Sequence, residues 1–285
     1  MTEIRTIGVV GLGAMGGGIA QLAVEAGYET IGREVTPELG TQAADRIGHF
    51  LGRKVDKGQL TADERDAAHA RLETTTDLEA FAQCDLVIEA IVEELEPKRA
   101  LFAELDRICR PDTILATNTS ALSVTEIAGA TTRPERVVGM HFFNPAPLMP
   151  LVEIVQAELT SAAAVAVAGE VGKRFGKEVV ACHDTPGFIV NRVLIPLLND
   201  CVRTLDEARI TPEVLDIAMK NGAGWPMGPC ELVDLVGIDV HVHAAEALYA
   251  LSRDPRMAPP ARIVTMKNAG LLGRKSGRGF YTYED

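Results

Sequence analysis

Apolar positions in the first two-thirds of the chain form short β-rich runs that alternate with helical patterns. The runs that predict strands span residues 6–10, 28–31, 85–91, 113–117, 136–140, 151–155 and 178–181. Residues 37–70 between them are charged and helical in pattern, with a break before Thr61, whose spacing to Glu64 is typical of a capping box. Alternation of this kind predicts βαβ units and a mainly parallel sheet with helices on both faces.

The pattern changes after "HDTPGF". Residues 189–251 carry helical periodicity without a convincing strand, and Thr211 followed by Pro212 is a typical helix start. We therefore predict two domains. An α/β domain with a Rossmann-type doubly wound sheet spans residues 1–184, and an all-α domain spans residues 185–285.

A glycine-rich turn, "VVGLGAMGGGIA", follows the first predicted strand and opens a helix. Gly11 permits the tight turn, Gly13 lets the backbone approach a pyrophosphate, and Gly16 allows close packing of helix and strand. Glu34 stands roughly 20 residues further on, where a carboxylate binds the ribose hydroxyls and favours NAD over NADP. Arg33 leaves a 2′-phosphate possible, and a flavin is a second option.

Composition and charge narrow the class of protein. Apolar residues make up 47% of the 285 residues, enough for a sizeable core, and the net charge of -12 argues against nucleic acid. Glutamates interrupt the most apolar run, "DLVIEAIVEEL", and the N-terminus lacks a signal-peptide pattern, so we expect neither a membrane span nor export. The five cysteines are scattered, as in reduced cytosolic proteins. The expectation is a cytoplasmic enzyme.

One histidine stands out by its position, in "GMHFFNP". His141 follows the predicted strand 136–140, at the sheet edge where ligands bind in open parallel sheets. Glu153 lies twelve residues later inside the next apolar strand, where an unpaired carboxylate is costly. The pair fits an acid–base group with its orienting carboxylate, or a buried structural pair.

Other polar residues can be explained by structural roles as well as by functional ones. In "TNTSALSV", Ser120 and Ser123 follow a strand end and are candidates for substrate contacts or for helix N-caps. The two histidines of "HVH" (241–243) point to nearly opposite sides of a helix, so we predict no metal there or elsewhere.

With these residues in view, the chain resembles the L-3-hydroxyacyl-CoA dehydrogenase family, especially its short bacterial 3-hydroxybutyryl-CoA dehydrogenases. The resemblance runs nearly end to end. It rests on the blocks "GLGAMGGGIA", "DLVIEAIVEELEPKRALFAELD", "TNTSAL", "RVVGMHFFNPAPLMPLVEIV", "DTPGFIVNR", "GAGWPMGPCELVDLVGID" and "LGRKSGRGFYTY".

The resemblance implies NAD-dependent, reversible oxidation of an L-3-hydroxyacyl thioester in fatty acid metabolism. It implies that His141 is the general base paired with Glu153, and that Ser120 and Asn191 bind the substrate oxygens. The cofactor contacts that it implies are Gly11, Gly13, Ala14, Met15, Gly16, Glu34, Ala90, Glu93, Lys98, Asn118, Asn144 and Lys275. It also implies a homodimer formed through the helical domain.

The resemblance places coenzyme A near the charged helices after the second strand, where Arg53, Lys54 and Lys57 stand. A solvated helical face explains these residues equally well. Three departures from the family pattern concern the substrate and the adenine side: "TNTSAL" for "SNTSSL", Gly32 for an apolar residue, and Pro150 for a lysine. Three hypotheses follow: a CoA thioester dehydrogenase, the same chemistry on a hydroxyacyl or glyceryl group of an acyl carrier protein or on a sugar acid, and a cofactor-binding protein without turnover.

Overall fold

The computed structural model describes residues 3–283. The chain forms two compact units, of which the first ends at Thr185 and the second begins at Pro186. Among the helices of residues 3–283, none combines the length and the apolar composition that crossing a bilayer requires.

Within the described residues, the first unit is built on one eight-stranded sheet with the strand order β3-β2-β1-β4-β5-β6-β7-β8. The strands are β1 Thr6–Val10, β2 Glu29–Arg33, β3 Leu72–Thr75, β4 Leu86–Glu89, β5 Ile114–Thr117, β6 Val137–Phe142, β7 Leu151–Gln156 and β8 Glu178–His183. Strand order reverses direction at β1, as in doubly wound folds. The predicted fold class is therefore confirmed.

The helices of this unit are α1 Ala14–Glu25, α2 Pro37–Asp56, α3 Ala62–Ala70, α4 Leu95–Ile108, α5 Val124–Ala128 and α6 Ala162–Arg174, with short 3-10 helices at Leu78–Gln83 and Pro134–Arg136. α2 buries a stripe that includes Ala43, Ile47 and Leu51 against the core and exposes its charged side chains. The predicted capping box is confirmed, since Thr61 Oγ1 accepts from Glu64 N at 3.2 Å while Glu64 Oε2 accepts from Thr61 N at 2.8 Å.

The sheet departs from the prediction at three points. β7 runs antiparallel to β6, because residues 143–150 are too few for the crossover of about a dozen residues that parallel strands need. β6 continues through Phe142, so His141 lies inside the strand and does not follow it. β3, with the sequence "LETT", was not predicted, because its short polar pattern resembles a turn.

The second unit consists of α7 Val190–Glu207, α8 Pro212–Gly222, α9 Pro229–Val236, α10 Ile238–Ser252 and α11 Ala261–Asn268, with 3-10 helices at Pro255–Met257 and Arg274–Ser276. Thr211 caps α8 as predicted, accepting from Val214 N at 3.5 Å. The core of this unit gathers Leu198, Val202, Val233, Ile238, Val242 and Ile263.

Two buried aspartates tie the C-terminal segment to these helices. Asp216 accepts from Cys230 N at 2.8 Å, at the start of α9, and from Tyr281 Oη at 2.8 Å. Asp234 accepts from Phe280 N and from Tyr283 Oη, each at 3.0 Å. The "GPCELVD" and "GRGFYTY" blocks therefore meet through carboxylates that are satisfied by hydrogen bonds, as buried charges require.

His241 is a core residue of the second unit. Its Nε2 lies 2.9 Å from Asn199 Oδ1, and Asn199 Nδ2 donates to the carbonyls of Arg256 and Met257, which fixes the amide orientation. The ring must therefore donate through Nε2. Burial lowers the pKa of His241 from its usual range to about 4. Its partner in the "HVH" motif, His243, is exposed.

We predict that His241 makes the protein less stable in mild acid. The unfolded chain takes up a proton near pH 6.5 and the folded chain only near pH 4, so stability is present above 6.5 and is lost as pH falls between these values. His241→Gln, which retains an N–H donor, should remove about 3 kcal/mol or less of this loss. Chemical denaturation between pH 4 and 7 measures it, with exposed His243→Gln as the control. Equal slopes in the wild type and His241→Gln would contradict the assignment.

Candidate functional site

The glycine turn leads from β1 into α1 and leaves open space at one position. Gly11 has a φ of +84°, and a methyl group on Gly16 would lie 1.7 Å from the Gly11 carbonyl oxygen, so the packing of the turn requires both glycines. Around Gly13, no described atom beyond its neighbours in the chain lies within 4 Å of where a methyl group would stand. Within residues 3–283, no side chain caps the start of α1 at Ala14 and Met15. The turn therefore fits a dinucleotide pyrophosphate, which backbone N–H groups would hold.

Glu34 and Arg46 both bind the backbone of Leu12 in the turn. Glu34 Oε1 accepts from Leu12 N at 2.6 Å, and Arg46 Nη2 donates to Leu12 O at 2.5 Å. Arg33 donates to the carbonyl of Thr76 at 3.2 Å. The carboxylate thus lies at the end of β2 beside the turn, where a ribose would stand in this fold.

Gly32, one of the departures from the family pattern, has a packing explanation. A methyl group there would lie 2.7 Å from Leu12 Cδ1. Leu12 is almost completely buried, so its side chain occupies the space that a larger residue on β2 would take. The substitution therefore preserves the packing beneath the turn.

Antiparallel pairing of β6 and β7 sets His141 directly opposite Glu153. Such cross-strand neighbours project on the same face of a sheet. Nδ1 of His141 lies 2.6 Å from Oε2 of Glu153, and the two residues are 4% and 0% exposed. A carboxylate can only accept, so Nδ1 carries the proton and the lone pair of the neutral ring is on Nε2.

Two further contacts hold this part of β6. The ring centroids of His141 and Phe143 are 4.5 Å apart at an interplanar angle of 52°. Asn118, which follows β5, accepts from Phe142 N at 2.9 Å through its Oδ1. The amide of Asn118 therefore joins the ends of β5 and β6, at the edge of the sheet that also carries the glycine turn.

Ser120 is held by Glu93. Glu93 Oε1 accepts from Thr119 Oγ1 at 2.6 Å, from Ser120 N at 2.7 Å and from Ser120 Oγ at 3.1 Å. Burial opposes ionisation of Glu93, but the charge of Lys98 and these hydrogen bonds hold its pKa below the usual range.

For Ser123, the alternative role as a helix N-cap is confirmed, since its Oγ caps α5 by accepting from Glu126 N at 3.2 Å.

Lys98 lies beneath this loop between two carboxylates. Its Nζ is 2.5 Å from Glu89 Oε1 and 3.3 Å from Glu93 Oε2, and the side chain is 1% exposed. Ala90 follows Glu89 and abuts the turn, because a methyl group on Gly11 would lie 2.8 Å from the Ala90 carbonyl oxygen. Two of the predicted cofactor contacts, Glu93 and Lys98, thus belong to one network of charges.

The three predicted basic residues at the C-terminal end of α2 line one pocket; Lys57 directly follows the helix. Its volume is about 400 Å³, and Arg53, Lys54 and Lys57 line it together with Asn144. Further lining residues are Ala14, Gly17, Gly18, Gln21, Arg46, Ile47, Phe50, Gln59, Pro145, Pro147 and Leu148. Lys54 Nζ also pairs with Glu25 at 2.6 Å, which leaves the cationic character of the pocket mainly to the other basic residues.

The remaining predicted residues belong to the second unit. Asn191 is in the first turn of α7. Lys275 is exposed in a short 3-10 helix, where its Nζ donates to Asp239 Oδ2 at 2.7 Å. Among residues 3–283, no group of three or more His, Cys, Asp and Glu side chains could hold a metal ion.

Family models match both units. Residues 6–185 match the NAD binding domain of 3-hydroxyacyl-CoA dehydrogenase, and residues 187–283 match the C-terminal domain of the same enzyme. The chain belongs to the 3-hydroxyacyl-CoA dehydrogenase family. It is an NAD-dependent oxidoreductase, and the family and cofactor predictions are confirmed.

Curated relatives of the chain align with nearly all of its residues. It is 44% identical to 3-hydroxyadipyl-CoA dehydrogenase of Escherichia coli K12 over 99% of this chain, but it spans 60% of that protein's length. It is also 44% identical to 3-hydroxybutyryl-CoA dehydrogenase of Mycobacterium tuberculosis H37Rv, with 98% of this chain and 99% of the relative covered.

Solved structures of the family superpose closely on this dehydrogenase. The crystal structure of FadB2 from M. tuberculosis has a TM-score of 0.95 at 44% identity, with 99% of this chain and 100% of that chain covered. The structure of (S)-3-hydroxybutyryl-CoA dehydrogenase PaaH1 from Ralstonia eutropha has a TM-score of 0.95 at 36% identity, with the same coverage.

Three further residues, Glu89, Arg46 and Phe50, belong to these sites and were not among the predicted residues. Glu89 is a carboxylate inside the apolar run "DLVIEAI", the same signal that singled out Glu153, and it was read only as an obstacle to a membrane span. Arg46 and Phe50 lie on the α2 face with the predicted basic residues. Helical spacing from Arg53 and Lys57 would have brought both to notice.

Proposed function

We propose that this protein reversibly oxidises a short L-3-hydroxyacyl-CoA, of the 3-hydroxybutyryl type, to the 3-ketoacyl-CoA, with His141 as the general base. The observation that carries the proposal is the buried contact of 2.6 Å between His141 Nδ1 and Glu153 Oε2. It lies at the same edge of the parallel strands as the glycine turn. Residues 1–184 would bind the cofactor, and residues 185–285 would contribute to substrate binding and assembly.

In this proposal His141 accepts the proton of the substrate 3-hydroxyl through Nε2. Glu153 holds Nδ1–H, which keeps the ring in the required tautomer and stabilises the imidazolium that forms. Bound NAD⁺ supplies the hydride acceptor for C3. In the reverse direction the protonated ring returns the proton to the 3-keto oxygen, so the same pair serves both directions.

Ser120 and Asn191 would orient the substrate. A hydroxyl and an amide can each donate a hydrogen bond to the oxygen on C3 or to the thioester carbonyl. Binding of these oxygens fixes the distance between C3 and the hydride acceptor, which is the geometric requirement of hydride transfer. Beside the glycine turn, Glu34, Ala90, Asn118 and Asn144 would complete the cofactor contacts, and Lys275 is the proposed contact from the second unit.

We predict that His141→Ala lowers kcat for acetoacetyl-CoA reduction by about 10²- to 10⁴-fold, the usual contribution of a positioned acid–base group. Glu153→Gln should cause a smaller loss, because an amide orients the ring but does not balance the imidazolium charge. NADH oxidation measures turnover, and fluorescence titration should give an unchanged dissociation constant for NADH. His69→Ala, at an exposed position of α3, is the control. Full turnover by the His141→Ala variant would refute the assignment of His141 as the general base.

We propose coenzyme A as the carrier, because the α2 pocket has the chemistry of a nucleotide site. Arg53 and Lys57 can neutralise phosphates, and the ring of Phe50, which is 43% exposed, can stack on adenine. Leu148 on the facing loop is 76% exposed, so a ligand would also cover apolar surface there. Acyl carrier protein thioesters and sugar acids, the alternatives, would leave the adenine-sized part of this pocket unused.

The carrier proposal predicts a differential effect of Phe50→Ala. Loss of a stacking ring should lower kcat/KM for acetoacetyl-CoA by about tenfold, within the 1–3 kcal/mol that base–aromatic stacking contributes. Turnover of acetoacetyl-pantetheine, which has no nucleotide, should not change. Leu39→Ala is the control, since Leu39 is exposed on the same helix but does not line the pocket. An equal loss with both thioesters would argue against an adenine site.

We also propose that the protein is a homodimer formed through the helical unit. A groove of about 540 Å³ in this unit is lined by Leu194, Leu197, Gly224, Trp225, Pro226, Met227, Leu232 and Leu235. Large apolar side chains on α7, α8 and α9 remain exposed, among them Val193, Ile217 and Leu235. Apolar surface of this kind is typical of obligate interfaces.

Introducing a charged side chain into the apolar groove tests whether the groove forms the dimer interface. Leu235→Glu should convert the dimer to monomers, because an unpaired carboxylate would be buried at the interface. Light scattering after size-exclusion chromatography gives the mass. Leu251→Glu is the control, since Leu251 is equally exposed at the end of α10 but does not line the groove. A wild-type mass of one chain, or an intact dimer in Leu235→Glu, would refute this interface.

A further inference from the structure

Glu89 is a fully buried carboxylate that the proposed reaction does not use directly. It is the last residue of β4, between β1 and β5 in the sheet. Its Oε1 accepts from Ile91 N at 2.7 Å and from Lys98 Nζ at 2.5 Å, while Oε2 accepts from Thr117 Oγ1 at 2.7 Å. An ionised carboxylate at such a depth is retained only with partners of this kind. Glu89 therefore fixes Lys98 at the carboxyl edge of the sheet.

Lys98 links Glu89 to Glu93, the residue that holds the loop carrying Ser120. Its Nζ lies between Glu89 and Glu93, at 2.5 Å and 3.3 Å from their nearest oxygens. Opposite charges at these distances in a buried site interact strongly, and the ammonium cannot approach one carboxylate without leaving the other. The position of the Glu93 carboxylate thus depends on the charge of Glu89.

Glu93 in turn sets the backbone of the loop that carries Ser120. Its Oε1 accepts from Ser120 N at 2.7 Å and from Ala121 N at 3.3 Å, in addition to the hydroxyls of Thr119 and Ser120. Several donors converge on one oxygen, so a shift of that oxygen moves the loop. The chain of contacts runs from Glu89 through Lys98 and Glu93 to the Ser120 hydroxyl.

We propose that Glu89 is a positioning residue for catalysis, which acts through Lys98 and Glu93 to place the Ser120 hydroxyl against the substrate oxygen. The inference rests on the proposed role of Ser120 in substrate binding. Without the charge of Glu89, Lys98 pairs with Glu93 alone and draws its carboxylate away from the donors of the loop. The Ser120 hydroxyl is then displaced from the position that hydride transfer requires.

Glu89→Gln tests the proposal, because it removes the charge with little change of shape. The kcat per folded active site for acetoacetyl-CoA reduction should fall about 10- to 100-fold, as expected for a displacement near 1 Å. KM for acetoacetyl-CoA should change less than about threefold, because the α2 pocket is built from other residues. A structural role alone would lower stability and leave kcat per folded site unchanged.

Asp106→Asn is the matched control. Asp106 is a largely buried carboxylate of the first unit, paired with Arg133 Nε at 2.6 Å, and both side chains are 10% exposed. It accepts from Thr132 N at 2.8 Å and is not part of the Glu89 network. This variant should lose stability without loss of kcat, which separates damage to a buried ion pair from displacement of Ser120.

A double variant tests the route through Lys98. If Glu89 acts through Lys98, Glu89→Gln should add no further loss of kcat when Lys98→Met is already present. Additive losses, or a kcat of Glu89→Gln within twofold of the wild type, would overturn the proposal. If Glu89→Gln does not fold, Glu89→Asp, which keeps the charge but retracts it, should lower kcat about tenfold, and an unchanged kcat would overturn it. Absence of wild-type turnover would instead refute the proposed function.

Discussion

The contact between His141 and Glu153 depends on a topological constraint. The connection over residues 143–150 is too short for a crossover helix, so β7 must return antiparallel to β6. This reversal sets the two residues opposite each other on one face of the sheet. The carboxylate of Glu153 is fully buried, and the hydrogen bond from the imidazole offsets part of the cost of that burial. The short loop, the reversed strand and the oriented ring are thus parts of one arrangement.

Carboxylates recur at this end of the sheet, and their partners determine what each one does. Glu34 after β2 accepts a backbone N–H of the glycine turn, which places its carboxylate beside that turn. Glu89 at the end of β4 faces an ammonium group, and Glu153 faces an imidazole. The backbone N–H and the ammonium group can only donate a hydrogen bond. A neutral imidazole has both an N–H and a nitrogen lone pair, which is the property that acid–base chemistry requires.

The sequence predicted local features well and contacts between distant segments less well. Helix caps at Thr61 and Thr211 and the fold class depend on short-range patterns, and the structure confirms them. The direction of β7 is set by chain connectivity, and the burial of Lys98 by carboxylates from two other segments. The pattern of apolar and polar residues along the chain reveals neither the strand direction nor the buried lysine. Glu89 could have been noticed, because an acidic residue in an apolar strand signals an unseen partner.

A buried histidine is not by itself evidence of catalysis, as the comparison of His141 with His241 makes clear. Both rings are almost fully buried, and each has a ring nitrogen within 3 Å of an oxygen acceptor. His241 faces the neutral amide of Asn199, which does not compensate a positive charge, and burial lowers its pKa to about 4. It therefore stays neutral throughout the physiological range and stabilises the core. His141 faces a carboxylate, which stabilises a protonated ring. The charge of the partner, and not the depth of burial, distinguishes a histidine that can carry a proton from one that only packs.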